Sequence, residues 1–287
     1  MKPANLKWRR HGFELLLLLP LAAYVFGFTL LPVIRSIIYG FTNAAGSFTL
    51  ENYKVLFANS QFLAAMRNTL LITGIGLSLE MVVGLSLALI LTREFRLRGI
   101  FRSLMLVPMG VPTIVSGVTL MYVFDTSGYL NELLFRLGLI QLPIDWAAGG
   151  LRTLLMVVVA DMWKVTPVVV LLMLAGLESI PEELYEAASV DGATGWRAFW
   201  RITLPLLKPA ITMTVILRGV DTFRIFELPL ILAGRVNPVL ATFAYTEYNN
   251  YHNNYTSGAA ASFLMGLIVI CVVAYLLLVE RERRVKA

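Results

Sequence analysis

Glu186 to Pro209 reads EAASVDGATGWRAFWRITLPLLKP, a polar, amphipathic stretch set between two strongly apolar runs. The residues from Pro181 to Asp191 read as a helix: Pro181 suits a first helical position, and Glu182, Glu183 and Glu186 suit the positive end of a helix dipole. Gly192 stops it. A second short segment follows, crowded with Trp196, Phe199, Trp200, Ile202 and Leu204, and Pro205 and Pro209 are expected to limit its extension. Helix, glycine break, helix is a pattern that can lie flat on a membrane surface or plug into a groove on another protein. Residue physics alone leaves both open.

The surroundings place this stretch beside a bilayer. With 58% hydrophobic residues and only 15% charged, the chain is far more apolar than a soluble domain, and its mean hydropathy is +0.75. Cys271 is the single cysteine, so neither an internal disulfide framework nor a cysteine metal cluster can form. The net charge of +6 follows membrane topology and forms no nucleic-acid patch.

A crossing helix needs roughly 20 apolar residues. Six segments qualify, near Phe13–Tyr39, Thr69–Leu91, Leu104–Phe124, Thr153–Leu177, Pro209–Ala233 and Ala259–Glu280. The first reads as an anchor, because its apolar character continues through Leu31, beyond the core of a signal peptide. Lys2, Lys7, Arg9 and Arg10, then Arg93, Arg96, Arg98 and Arg102, then Arg197, Arg201 and Lys208, and finally Arg281, Arg283, Arg284 and Lys286 share one side. The opposite loops hold only Lys54, Arg67, Arg136, Arg152 and Arg235. The positive-inside rule therefore puts both termini and the Glu186–Pro209 stretch in the cytoplasm.

Charges within spans cost roughly 2.5–3.5 kcal/mol each at a helix centre, so they need partners or a wet cavity. Glu80 stands at mid-depth in the second span, either protonated and bonded within the bundle or paired with a cation. The fourth span holds Asp161, Trp163 and Lys164; the fifth holds Arg218, Asp221, Thr222, Arg224 and Glu227. At about 100° per residue, Arg218, Asp221, Thr222 and Ile225 share a stripe with Arg224 on its flank, and Asp161, Lys164 and Val168 share another. Two such stripes converging would line a sugar-sized cavity, with Trp163 or Phe223 stacking on a pyranose face. Alternatively, Asp161–Lys164 and Arg218–Asp221 are ion pairs that only fix helix register. Pro108, Pro112 and Pro167 free backbone groups that neighbouring helices must satisfy, and Gly258, Ser262 and Gly266 are spaced for close helix contact.

Glu186-Ala187-Ala188, Gly192, Ile202, Leu204 and Pro205 fill every fixed position of the pattern EAA-x3-G-x9-I-x-L-P. The stretch resembles the EAA loop of binding-protein-dependent ABC importers, through which a permease subunit contacts its ATPase. The strings WKVTP (Trp163–Pro167), AGLESIPEELYEAASVDGA (Ala175–Ala193) and DTFRIFELPLIL (Asp221–Leu232) resemble the first, MalF-like, permease of carbohydrate importers of the maltose and trehalose type. This resemblance runs from Gln61 to the end.

It implies an all-α integral membrane protein with six transmembrane helices, the type I ABC importer permease fold and a cytoplasmic coupling-helix loop. The implied layout is a tail, first helix and first outer loop over 1–65, a five-helix transmembrane domain over 66–280 with the loop at 181–209, and a cytoplasmic tail at 281–287. ATPase coupling would fall to Glu186, Ala187, Ala188, Asp191, Gly192, Ile202, Leu204 and Pro205. Substrate contacts would come from the spans flanking the loop, the regions of Asp161, Lys164, Arg218, Asp221 and Thr222, with Trp163 and Arg224 beside them. One departure stands out: the loop after the fifth span, often a glycine run in the family, is Ala233-Gly234-Arg235-Val236-Asn237-Pro238 here.

The implied function is half of the translocation pathway of an ATP-driven importer for a disaccharide or oligosaccharide in a bacterial or archaeal cytoplasmic membrane. The implied partners are a second homologous permease, two ATP-binding subunits, an extracytoplasmic sugar-binding protein and membrane lipid. No catalytic residue, cofactor or metal is expected: there is no Gly-Lys-Ser/Thr phosphate loop, no His-Glu-x-x-His and no Gly-x-Ser-x-Gly, and the two histidines, His11 and His252, lie outside the spans. An ion-coupled secondary carrier is the alternative, with Glu80, Asp161 and Asp221 relaying protons. Such carriers carry paired repeats, and none is found in this chain.

Overall fold

Proline placement decides where the helices of this chain stop and where they bend. The computed structural model describes residues 5–286, so Lys2 of the basic N-terminal tail and Ala287 lie outside it. Among the described residues every regular element is a helix, apart from an isolated bridge between Thr42 and Phe48. Two compact units divide it: residues up to Asn59 with Ala244–Phe263, and Ser60–Phe243 with the residues from Leu264 onward.

In the first unit, α1 (Asn5–Val25) passes through a π-helical turn (Phe26–Leu30) into α2 (Leu31–Phe41), and α3 (Glu51–Ala58) follows a tight connection. The Asn52 amide fixes that connection by donating to the carbonyls of Tyr39, Gly40 and Thr42 at 2.9–3.2 Å. The small-residue reading of the last span holds at Gly258, where a Cβ would sit 2.6 Å from the Ser36 carbonyl. It does not extend to Gly266, which has nothing within 4 Å.

The second unit is built on α4 (Ser60–Thr92) and α8 (Leu151–Glu178), which run side by side in the same direction. Gly76 faces Val158 and, farther along both helices, Gly84 faces Val169; a Cβ at Gly84 would lie 2.4 Å from Val169 Cγ1, so only glycine admits this approach. Two apolar clusters pack along the pair. One gathers Ile72, Leu154, Val157, Val158 and Leu228; the other gathers Ala88, Val169, Val170, Met173 and Leu207. Glu80 lies between them, fully buried.

The expected third span is broken. α5 (Arg98–Gly110) and α6 (Thr113–Val123) meet at 96°. Pro112 cannot donate a backbone hydrogen bond and forces the residue before it out of helical geometry, and Val111 accordingly adopts φ −78°, ψ 131°. The expected fifth span, Pro209–Ala233, is also not one helix. α11 (Leu204–Phe223) ends at Arg224, and a new helix, α12 (Glu227–Leu232), begins beyond it. In one continuous helix Pro229 would orphan the Ile225 carbonyl; the break puts Pro229 in the first turn of α12, where no donor is needed.

The reverse correction applies after Gly192. α9 (Glu183–Val190) is followed by α10 (Gly195–Ala198), a π-helical turn (Phe199–Thr203) and α11, so the aromatic segment is the start of the span and passes through Pro205 and Pro209. Both π turns lie just before a proline, Pro32 and Pro205. Slackening the ladder to i→i+5, as in Leu204 N–H to the Phe199 carbonyl, lets the helix absorb the missing donor.

By length and apolarity, four described helices can cross a bilayer, within Leu16–Phe41, Ser60–Thr92, Leu151–Glu178 and Asn254–Arg281, and the bent α5–α6 pair makes a fifth. α11 has 20 residues but carries Lys208, Arg218 and Asp221, which keeps it from meeting the same standard. The remaining elements are α7 (Tyr129–Arg136), α13 (Leu240–Asn249) and α14 (Asn254–Lys286). The loop around α7 closes on buried Asn131. Its amide donates to the carbonyls of Asp125, Thr126 and Ile144, and its oxygen accepts from Ile144 N–H and Trp146 Nε1. At the same loop the Ser127 hydroxyl, and then its N–H, hold the Asp125 carboxyl below its ordinary value.

Candidate functional site

Three helices bring their charges to one depth. α4 supplies Glu80, α8 supplies Asp161 and α11 supplies Arg218, Asp221 and Thr222. The guanidinium of Arg218 is the hub: Nε donates to Glu80 Oε2 at 3.0 Å and Nη2 to Glu80 Oε1 at 3.3 Å, a two-point clasp. Nη2 also reaches Asp161 Oδ2 at 3.3 Å, and Nη1 lies 3.5 Å from Asp221 Oδ2. Asp221 in turn accepts from Arg224 Nη2 at 2.7 Å. The chain of charges runs from a Glu80 side chain at 0% exposure, through Arg218 at 6%, to Asp221 at 37% and Arg224 at 66%.

The two polar stripes therefore do converge, through Asp161 and Arg218. Of the two ion pairs expected from sequence, Arg218–Asp221 is present and Asp161–Lys164 is not: Glu80 joins the cluster and Lys164 leaves it. Glu80 stood out as a mid-depth carboxylate without a named partner; its match in depth to Arg218 is the signal that could have linked them. Lys164 Nζ instead donates to the Val111 carbonyl at 2.5 Å. That carbonyl ends α5 at the break, where the helix dipole is negative, and an ammonium is the complementary cap. Thr222 is buried and donates to the Arg218 carbonyl of its own helix at 2.8 Å. Trp163 is 44% exposed.

Lys164→Met removes this cap while keeping the aliphatic stem. A buried carbonyl left without a donor costs about 1–3 kcal/mol, and the half-buried Val111 carbonyl falls at or below the lower end of that range. The expected result is a lower thermal midpoint in detergent, with Lys164→Arg, which keeps a donor, staying close to the parent. Equal midpoints for Met and parent would show that the bend holds without the ammonium.

The second group of residues lies at the other end of α8. α9 is an exposed helix: Glu186, Ala187, Asp191 and Gly192 are exposed, Ala188 is half-buried and Val190 is 87% exposed. Gly192 adopts φ +74°, with its N–H donating to the Ser189 carbonyl at 3.1 Å and that of Ala193 to the Ala188 carbonyl at 2.9 Å. This paired closure is the Schellman stop, which favours glycine at its left-handed position. Tyr185 Oη and Thr203 Oγ1, 2.9 Å apart, tie α9 to the π turn that bears Ile202 and leads into Leu204 and Pro205. Glu186 and Asp191 form no ion pair among the described residues.

Residues 80–287 match the family model of the binding-protein-dependent transport system inner membrane component. The chain belongs to that family. This inner membrane component is 35% identical over 290 residues to the trehalose/maltose transport system permease protein MalF of Thermococcus litoralis, covering 98% of each chain. It is 33% identical over 260 residues to the trehalose transport system permease protein SugA of Mycobacterium tuberculosis, covering 90% of this chain and 81% of the relative. Its fold is that of type I ABC importer permeases. A chain of the bacterial alginate ABC transporter, solved in complex with an alginate pentasaccharide-bound periplasmic protein, superposes with a TM-score of 0.83 at 22% identity over 96% of each chain. A chain of the MetNI methionine ABC transporter, solved in inward-facing conformations, reaches 0.55 at 16% identity over 78% of this chain. The inner membrane component thus carries the permease fold, with a charge cluster inside it and an exposed helix at one end.

Proposed function

We propose that this chain forms half of the translocation pathway of an ATP-driven importer for a disaccharide or oligosaccharide of the trehalose or maltose kind. It would pair with a second homologous permease, dock two ATP-binding subunits and receive its solute from an extracytoplasmic sugar-binding protein. The observation that carries the reading is the EAA stretch folded as a short, exposed, glycine-stopped helix in a chain 35% identical, end to end, to a permease named for trehalose and maltose. Glu186, Ala187, Ala188, Asp191, Gly192, Ile202, Leu204 and Pro205 form the coupling element, and ATP hydrolysis belongs to the partner subunits. Both termini face the cytoplasm of a bacterial or archaeal cell, and α11 is the sixth crossing, its charges tolerated because Arg218 is neutralised within the bundle.

Substrate recognition falls to Asp161, Trp163, Lys164, Arg218, Asp221, Thr222 and Arg224 in two layers. Trp163, Asp221 and Arg224 retain exposure and present a stacking face, a carboxylate and a guanidinium, a set suited to hydroxyl-rich rings. Asp161, Arg218, Thr222 and Lys164 are committed to bonds within the bundle and hold that surface in place.

The test is reconstitution of the chain with its co-purifying subunits in proteoliposomes, with candidate disaccharides presented by the associated binding protein. Sugar-stimulated ATP hydrolysis and uptake are expected only with nucleotide present. Uptake by the chain alone, driven by an ion gradient, would replace this reading with that of a secondary carrier.

A further inference from the structure

We propose that this chain binds one anionic diacyl phospholipid in a groove at its cytoplasmic membrane border. A cavity of about 1040 Å³ opens between the ends of α4 and α8 and the segment leading into α11. Leu85 and Leu89 of α4, Leu177 of α8, and Phe199 and Trp200 line it, with Arg93 at the rim. Three features select a lipid over a protein segment.

The α4 wall belongs to a membrane span, and Val82 on that wall is 64% exposed, so the groove opens sideways into hydrocarbon. The rim falls at headgroup depth. α4 ends at Thr92, and Trp196, Phe199 and Trp200 form a mutually packed trio with ring centroids 5.4–6.0 Å apart, of the kind that settles at a membrane interface. Charge completes the argument: Arg93, which lines the cavity, is exposed and forms no ion pair among the described residues, and no carboxylate lines the cavity; Arg197 and Arg201, exposed and also without an ion pair among the described residues, neighbour its lining residues in the chain. Glu94 beside Arg93 does not line it, and Glu178 is already bonded to Arg98 and Arg102. An apolar slot under an unneutralised basic rim takes acyl chains below and a phosphodiester above.

The test uses the full chain with its co-purifying subunits, delipidated in mild detergent and titrated with phosphatidylglycerol or phosphatidylcholine under native mass spectrometry. One saturable phosphatidylglycerol is expected, favoured over phosphatidylcholine by roughly fivefold for each arginine engaged. Arg93→Ala should lower that preference about fivefold. Ser86→Trp, which fills the groove from α4, should abolish saturable binding; Leu89→Trp serves the same purpose should the first variant fail to elute as a single species. Undiminished binding in both groove-filling variants, equal binding of the two lipids, or no saturable lipid because another subunit covers the groove would each overturn the proposal. None of these outcomes depends on which solute is carried.

Discussion

Arg218→Leu is expected to be the most damaging single substitution in this protein. It deletes the cation that clasps Glu80, whose side chain has no exposure to solvent, and leaves that carboxylate facing Asp161 without its counter-charge. Breaking a buried pair by removing one partner costs about 3–5 kcal/mol, most of it the penalty of a charge left without compensation. That is a large share of a typical folding free energy of about 5–15 kcal/mol.

The measurable outcome is a sharp fall in the monodisperse fraction extracted in mild detergent and a drop in the thermal midpoint. Glu80→Gln combined with Arg218→Leu should recover part of the loss, because the fully buried carboxylate then leaves with its cation and only Asp161 is left without one; similar behaviour of single and double variants would show that the clasp does not stabilise the bundle. Asp221→Ala supplies the contrast. Its carboxylate is partly exposed, its pair with Arg224 is a surface pair, and Arg218, 3.5 Å away, keeps Glu80 and Asp161 without it, so its contribution to stability is within about 1 kcal/mol. A large loss of sugar uptake with an unchanged midpoint would therefore assign Asp221 to recognition.

The helices and the loop were legible for different reasons. Long apolar runs announce spans by composition alone, so α8 was placed to within two residues at each end, while α4 starts nine residues and α14 five residues ahead of the expected spans, because their first turns are too polar to read as membrane. Gly192 carried its own stop signal, and the motif around it fixed α9. What the sequence misjudged were the consequences of proline. Pro112 breaks a span expected to run through it, whereas Pro205 and Pro209, expected to end a segment, sit inside one helix. The difference lies in what the neighbouring turn can do: a π turn before Pro205 loosens the ladder, while at Pro112 the chain turns through 96° and an outside donor, Lys164, caps the end.

The candidate site was read in part for the same reason. Helical periodicity orders residues on one helix and says nothing about which helix faces it. Asp161 and Lys164, one turn apart on α8, were expected to act together, yet they serve different neighbours, α11 and the α5 end. Glu80 had the right depth and no assigned partner until α4 and α8 were seen side by side.

Gly192→Pro should separate ATP hydrolysis from transport without disturbing the membrane bundle. A Cβ at Gly192 would meet nothing within 4 Å, so crowding is not the obstacle; the backbone is. Its φ of +74° is outside the range a proline ring permits, and proline also deletes the N–H that donates to the Ser189 carbonyl. The stop would fail, α9 would change direction, and the exposed face bearing Glu186, Ala187 and Val190 would no longer meet a docked subunit in register. Gly192→Ala grades the effect: left-handed geometry costs an alanine about 1–2 kcal/mol, with no hydrogen bond lost. A coupling free energy of 1–3 kcal/mol corresponds to about 5- to 150-fold, so sugar taken up per ATP hydrolysed is expected to fall within that span for proline and near its lower edge for alanine. Because the loop is exposed and far from the Arg218 clasp in sequence, the thermal midpoint and extracted yield should match the parent. A proline variant that imports sugar at the parental ratio would show that force reaches the pathway by some other contact.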